Sequence, residues 1–269
     1  MEIKFFCPLW GSDTIDFREF IEKVKAAGYD GVEMSLPSDQ KQKAEISGLL
    51  QEFNLQLIAQ HWETATENFP KHRIEYRKRL ENLATANPLF INTQTGKDYF
   101  SFDQNAKLIE IADAVSQKYG IKIIHETHRG KFSFAAHVTA DFLRKIEKLR
   151  LTLDISHWCN VAESMLHDQT NSVDLAISRT DHIHARVGFQ EGPQIPDPQA
   201  PEWKETLETH LGWWKKVLAQ RQKDGWEVFT ISPEFGPFPY MTILPHTRQP
   251  IANQWEVNVF VMNFLKKNL

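Results

Sequence analysis

Ile121-Lys-Ile-Ile-His-Glu-Thr-His-Arg-Gly130 is the stretch on which the reading of this chain turns. Its apolar run, Ile121 to Ile124, has the length and β-branched content of a buried strand. It ends in His125, Glu126, Thr127 and His128 before a glycine. Ionisable groups at the mouth of a core strand need a reason, because an unpaired buried carboxylate is costly. The layout recurs. Leu149 to Leu153 ends in Asp154-Ile-Ser-His157, and Asp181-His-Ile-His184-Ala-Arg186 follows about one βα unit on. Val228 to Ile231 ends in Ser232-Pro-Glu234-Phe-Gly236. If these four ends converge on one mouth, they supply Glu126, Asp154, His184 and Glu234, a donor set for a hard cation.

Working outward, the same strand-then-helix rhythm fills the chain. Ile3–Leu9, Gly31–Ser35, Leu55–Gln60 and Leu89–Gln94 read as the first four strands. Helices fill the intervals: one opened by Asp16-x-x-Glu19 and closed by Gly28, one capped by Ser38, one beginning near Pro70, and one opened by Ser101-x-x-Gln104 and closed by Gly120. Further helices are expected near 135–148, 173–179, 203–223 and 253–267. Eight alternating rounds without a linker or repeat imply a parallel sheet, and in this length they favour a single-domain (β/α)8 barrel over 1–269. An open doubly wound sheet would show a glycine-rich first turn, and Pro8-Leu-Trp-Gly11 is not one. Gly188 to Pro201 carries four prolines and breaks the pattern, which predicts a lid, a binding loop or an oligomer contact.

Composition narrows the function classes. The 269 residues carry a net charge of −4, and no basic run is long enough for a nucleic-acid stripe. No apolar run approaches the ~20 residues that span a bilayer. Two cysteines, Cys7 and Cys159, do not make a disulfide framework, and Cys159 is expected in the turn after Asp154. A cytoplasmic setting, with no nucleic-acid or membrane partner, is the expectation.

Each candidate has a structural alternative. Asp154 alone is as readily a helix N-cap as a ligand. Glu126 and Glu234 are poor caps, which favours ligand or catalytic roles over an ion pair. His182 and His184 share a strand face, so His184 reaches the mouth and His182 sits one layer below. Three carboxylates and one imidazole suit Mn²⁺ or Mg²⁺, with Zn²⁺ or Co²⁺ as alternatives.

Glu126, Asp154-x-x-His157, His182-x-His184 and Glu234 together resemble the xylose isomerase-like TIM-barrel superfamily of sugar phosphate isomerases and epimerases, over nearly the whole chain. The resemblance to its ketose 3-epimerase branch implies that Glu126, Asp154, His184 and Glu234 bind a divalent metal. It also implies that Glu126 and Glu234 exchange protons with substrate, while His157 contacts a substrate oxygen. One departure stands out: that branch carries an arginine several residues beyond the metal histidine, whereas Arg186 lies two beyond His184. The endonuclease IV branch uses further histidines. His61 can match one, but the fourth strand ends in Asn92-Thr-Gln94 without another.

Substrate-binding candidates are His128, His157, Arg186, His61 and Glu33, with a solvated loop position as the alternative for His128. Of the aromatics near the mouths, Trp10, Trp62, Trp158 and Phe235, no more than two are expected to meet substrate. The expected activity is a metal-dependent isomerase or epimerase of a sugar, ketose or polyol, acting through an enediolate. The alternatives are a dehydratase of the same superfamily and a non-catalytic sugar-binding barrel. A homo-oligomer is compatible with the long loop.

Overall fold

Asp16 and Gly28 bracket the first helix as their chemistry requires. The Asp16 side chain accepts hydrogen bonds from the Arg18 and Glu19 amides, and Gly28 ends α1 (Phe17–Ala27) at a φ of 83°. Ser101 and Gln104 form a reciprocal capping box at α4 (Phe102–Tyr119), which Gly120 ends in the same left-handed way. Asn68, with proline in the first turn, opens α3 (Phe69–Ala84). One cap differs from expectation: Asp39, not Ser38, caps α2 (Gln40–Glu52), its carboxylate reaching the Gln42 amide.

The computed structural model describes residues 1–269. Eight parallel strands close into a barrel in chain order: β1 (Glu2–Pro8), β2 (Gly31–Met34), β3 (Gln56–His61), β4 (Ile91–Thr93), β5 (Ile123–Glu126), β6 (Leu151–Leu153), β7 (Thr180–Ala185) and β8 (Val228–Pro233). The expected (β/α)8 single domain is what the chain builds. The remaining helices are α5 (Ala136–Lys145), α6 (Ser156–Ala162), α7 (Thr170–Ile177), α8 (Lys204–Lys223) and α9 (Gln254–Asn268). The sequence pattern did not mark α6. Its seven residues are too few for a periodic signal, and they place His157, Trp158 and Cys159 in a helix rather than a turn.

Strand alternation sorts the side chains into two cores. Phe6, Ile58, Phe90 and Ile124 form a small cluster of their own that plugs the barrel. Their strand neighbours Phe5, Cys7, Leu57, Ala59, Ile91 and Ile123 belong to the large apolar layer shared with the helices. Parity then fixes which strand-end residues can reach the mouth. Two residues beyond Ile124 stands Glu126; two beyond Ile58 stands Gln60, and two beyond Phe90 stands Asn92. At the opposite end of β7, Asp181 binds Arg150, with Lys122 at 2.6 Å and Arg221 at 3.6 Å, a bracing network at the stability face.

The proline-rich segment after β7 holds no regular strand or helix until a 3-10 turn at Pro201–Trp203. It docks on its own barrel. Gln194 exchanges two hydrogen bonds with the Gly236 backbone at 2.6 and 3.0 Å, and Ile195 is buried.

Gly31, at the start of β2, packs against the plug residue Phe6. A Cβ there would stand 2.3 Å from the Gln56 carbonyl oxygen and 2.5 Å from the Phe6 ring. Gly31→Ala is therefore expected to destabilise the fold by about 1–3 kcal/mol. The midpoint of urea unfolding checks this, and an unchanged midpoint would contradict the packing described.

Candidate active site

Glu126 ends β5, Asp154 follows β6, His184 lies on β7 and Glu234 follows β8. One donor atom from each falls within 4.8 Å of the others, and all four residues are buried. The four sequence candidates for a metal centre thus meet at the C-terminal mouth of the barrel, where such folds carry their chemistry.

His184 is held by a carboxylate beneath it. Its Nε2 donates to Glu33 Oε1 at 2.9 Å, which leaves Nδ1 to face the cluster. Glu234 Oε2 stands 2.9 Å from Nδ1, yet too far off line for a hydrogen bond, so Nδ1 has no partner. A buried imidazole nitrogen without a partner, oriented by a carboxylate on its far side, is the arrangement of a metal-binding histidine. The donor set fits a divalent cation.

Glu33 was expected to line the pocket. It instead lies below the cluster, fully buried, with His182 Nε2 at 3.2 Å and the Ser232 hydroxyl and the Asn92 amide donating to it at 2.5 and 2.8 Å. His182 sits one layer down as expected, its Nδ1 beside Thr230 and its ring 5.3 Å from Phe90. Asn92 also reaches Glu126 at 3.3 Å, and Gln94 reaches both Glu126 oxygens at 3.3 and 3.2 Å. Neither amide was singled out from sequence. Their parity with Phe90 was the available signal.

His61 does not join the site. Both ring nitrogens are taken, Nδ1 by Thr93 at 2.9 Å and Nε2 by Thr64 at 2.8 Å, and the ring packs on Tyr76. Its parity is opposite to Gln60, so it faces the helices while Gln60 faces the cavity.

Asp154 serves two roles. Oδ1 accepts from the Ser156 amide at 3.2 Å and from its hydroxyl, steadying the start of α6, while Oδ2 accepts from Arg186 Nε at 3.0 Å. Arg186 Nη2 reaches Glu234 Oε2 at 2.5 Å, so this buried guanidinium bridges two of the four donors. His157 is fully buried with neither ring nitrogen partnered, and it lies 4.0 Å from the His128 ring, centre to centre. His128 is a built position rather than a solvated one: its Nδ1 meets the Arg129 carbonyl oxygen at 2.5 Å, and its Nε2 meets the Tyr240 hydroxyl at 3.3 Å.

A cavity of about 510 Å³ opens above this floor, with Glu234, His128 and Arg186 in its wall. Trp10 and Trp62 line it. Trp158 is buried with its indole N–H on the Ser133 carbonyl, and Phe235 belongs to the core. Tyr240, from the segment after β8, completes the wall and lies edge-on to Trp10 at 5.1 Å. It follows no strand end directly, so no strand-end reading finds it.

Electrostatics follow from the crowding. Burial pushes the Glu126 carboxyl up to about 8, with Glu234, Asp154 and Glu33 adding to the rise and His184 opposing it. Burial also opposes ionisation of Glu33, but His184 and His182 outweigh it and hold Glu33 well below the carboxylate range. His184 is disfavoured as a cation by burial, yet Glu234, Glu33 and Glu126 raise it well above the ordinary histidine range.

Residues 21–192 match the family model described as xylose isomerase-like TIM barrel. Among solved structures, the chain is similar to D-psicose 3-epimerase with D-tagatose from Clostridium cellulolyticum H10, with TM-score 0.62, 14% identity, and coverage of 100% of this chain and 99% of that one. It is similar to 3-keto-D-glucoside 4-epimerase from E. coli, with TM-score 0.61, 12% identity and coverage of 99% and 100%. It is also similar to the probable 3-DHS dehydratase involved in petrobactin synthesis from Bacillus anthracis, with TM-score 0.59, 14% identity and coverage of 99% and 99%. At these identities the likeness is one of fold. No curated protein matches the sequence.

Two outcomes are expected of the cluster. A divalent cation must displace the protons that Glu126 and His184 hold, so affinity for Mn²⁺ should rise as pH rises through about 8, with proton release on binding. Titration calorimetry in two buffers of different ionisation enthalpy reads this; affinity independent of pH would contradict it. Glu33→Gln should weaken Mn²⁺ binding by about 10–100-fold through misorientation of His184.

Proposed function

The chain belongs to the xylose isomerase-like TIM barrel family, and from that membership and the geometry of the mouth we propose that it is a divalent-metal-dependent isomerase or epimerase of a sugar, ketose or polyol-derived substrate. The observation that carries the reading is the meeting of Glu126, Asp154, His184 and Glu234 within 4.8 Å, with His184 Nδ1 left unpartnered. These four would hold the cation, with Mn²⁺ or Mg²⁺ favoured by the oxygen-rich donor set. When bound, a divalent ion supplies Lewis acidity that polarises a substrate carbonyl and acidifies the neighbouring C–H.

The side chains do the rest. Glu126 and Glu234 approach the cluster from β5 and β8, three strands apart around the barrel. One carboxylate takes the proton from the carbon beside the carbonyl, leaving an enediolate. The other returns a proton to the opposite face, giving an epimer, or to the neighbouring carbon, giving an isomer. Burial that lifts Glu126 to about 8 makes its carboxyl a workable proton carrier near neutral pH. His157, buried with both ring nitrogens unpartnered, hydrogen-bonds a substrate oxygen. Trp10 and Trp62 offer apolar faces to the C–H side of a sugar ring or chain, and Trp62 at 56% exposure sits at the rim.

Solvent deuterium tests this. The Mn²⁺-loaded protein incubated with D-psicose, D-tagatose or D-fructose in D2O is expected to return carbon-bound deuterium in the recovered ketose. Glu126→Gln and Glu234→Gln should each lower the exchange rate by about two to four orders of magnitude. Exchange that survives both substitutions would overturn the proposal. Deuterium-free loss of water would assign the lyase chemistry instead, and binding without exchange would assign a non-catalytic sugar-binding barrel.

A further inference from the structure

Arg186 is the one arginine or lysine in the cavity wall, and its charge is already matched by two buried carboxylates. Nε goes to Asp154 at 3.0 Å, Nη2 to Glu234 at 2.5 Å and Nη1 to Gln194 at 3.5 Å. Its guanidinium carbon also lies 4.6 Å from the Tyr240 ring centre and 5.3 Å from that of Trp10. Its position two residues after His184 on the chain puts the charge among the cluster carboxylates at the cavity wall. Other cations near the mouth do not replace it. Arg129 bonds Asn160 at 3.4 Å and lies against Tyr240, and neither it nor Lys131 lines the cavity. His128 has both nitrogens engaged.

The rest of the cavity is anionic or neutral. Glu234 closes the floor and Asp13 stands at the rim, where one of its oxygens accepts from the Gly11 amide at 3.0 Å. Gln60 and Ser35 supply uncharged hydrogen-bonding groups between them, with Ser35 already tied to Glu63. A phosphate or carboxylate placed there would lose water and meet two carboxylates with no free cation. Hydroxyl groups, by contrast, can donate to Asp13 and exchange bonds with the amides.

We infer that Arg186 is an internal counter-ion of the carboxylate cluster, so that the end of the substrate remote from the reacting carbons must be an uncharged polyhydroxyl chain or ring, not a phosphate ester or a carboxylate. This rests on the proposal above for where the reacting carbons lie, and it names the substrate class that the proposal leaves open. Asp13 is the specificity-determining residue at that end.

Paired ligands test it. Binding of D-psicose against D-psicose 6-phosphate, and of D-tagatose against D-tagatose 6-phosphate, is measured by calorimetry on the Mn²⁺-loaded protein. The neutral member of each pair is expected to bind at least about tenfold more tightly. Asp13→Lys, at an exposed position, should close most of that gap, strengthening the phosphate ester and weakening the neutral ketose that loses an acceptor. Equal or tighter binding of the phosphate esters by the unsubstituted protein overturns the inference, as does binding of neither member. A phosphate ester that binds and exchanges deuterium would leave the isomerase proposal standing and remove this one. A neutral ketose that binds without exchange would do the reverse.

Discussion

Carboxylates outnumber permanent cations at the mouth of this barrel, and most of the local structure answers that imbalance. Glu33, Glu126, Asp154 and Glu234 are all buried, and one arginine, Arg186, pairs with two of them. Burying a charge without compensation is among the costliest things a fold can do. In the metal-free protein protons do the compensating, on Glu126 and on His184. A divalent ion would do it better, because it meets four donors at once and releases those protons to water. The same imbalance accounts for Arg186, whose charge is paired with Asp154 and Glu234.

The supporting layer arises from the same constraint. Glu33 bonds His184, the Asn92 amide bonds Glu33, and Ser232 bonds Glu33 from β8. Each polar group below the cluster is thus tied to one above it, before the apolar plug of Phe6, Ile58, Phe90 and Ile124 begins. Hydrogen bonds of this kind hold the donors of the cluster in one orientation.

The fold and the four-residue cluster were legible because both are written in period-two alternation and in the polar residues that cap each apolar run. Ile124 to Glu126 and His182 to His184 keep one face, so the residues that end those strands had to meet. The features that alternation did not reveal have physical reasons. His61 ends an apolar run but has the outward parity, and a count from Ile58 would have placed it against the helices. Glu33 has the inward parity but sits lower in the barrel, so it supports rather than lines. Helix α6 is too short to show periodicity. Tyr240 and Gln194 come from irregular segments that only tertiary docking brings to the mouth, and no local pattern encodes that.

The most direct measurement is anomalous scattering from crystals grown with Mn²⁺. A single peak about 2.0–2.6 Å from oxygens of Glu126, Asp154 and Glu234 and from Nδ1 of His184 is the expected result. No peak at that position under saturating Mn²⁺, or a peak coordinated by other residues, would contradict the account at its centre.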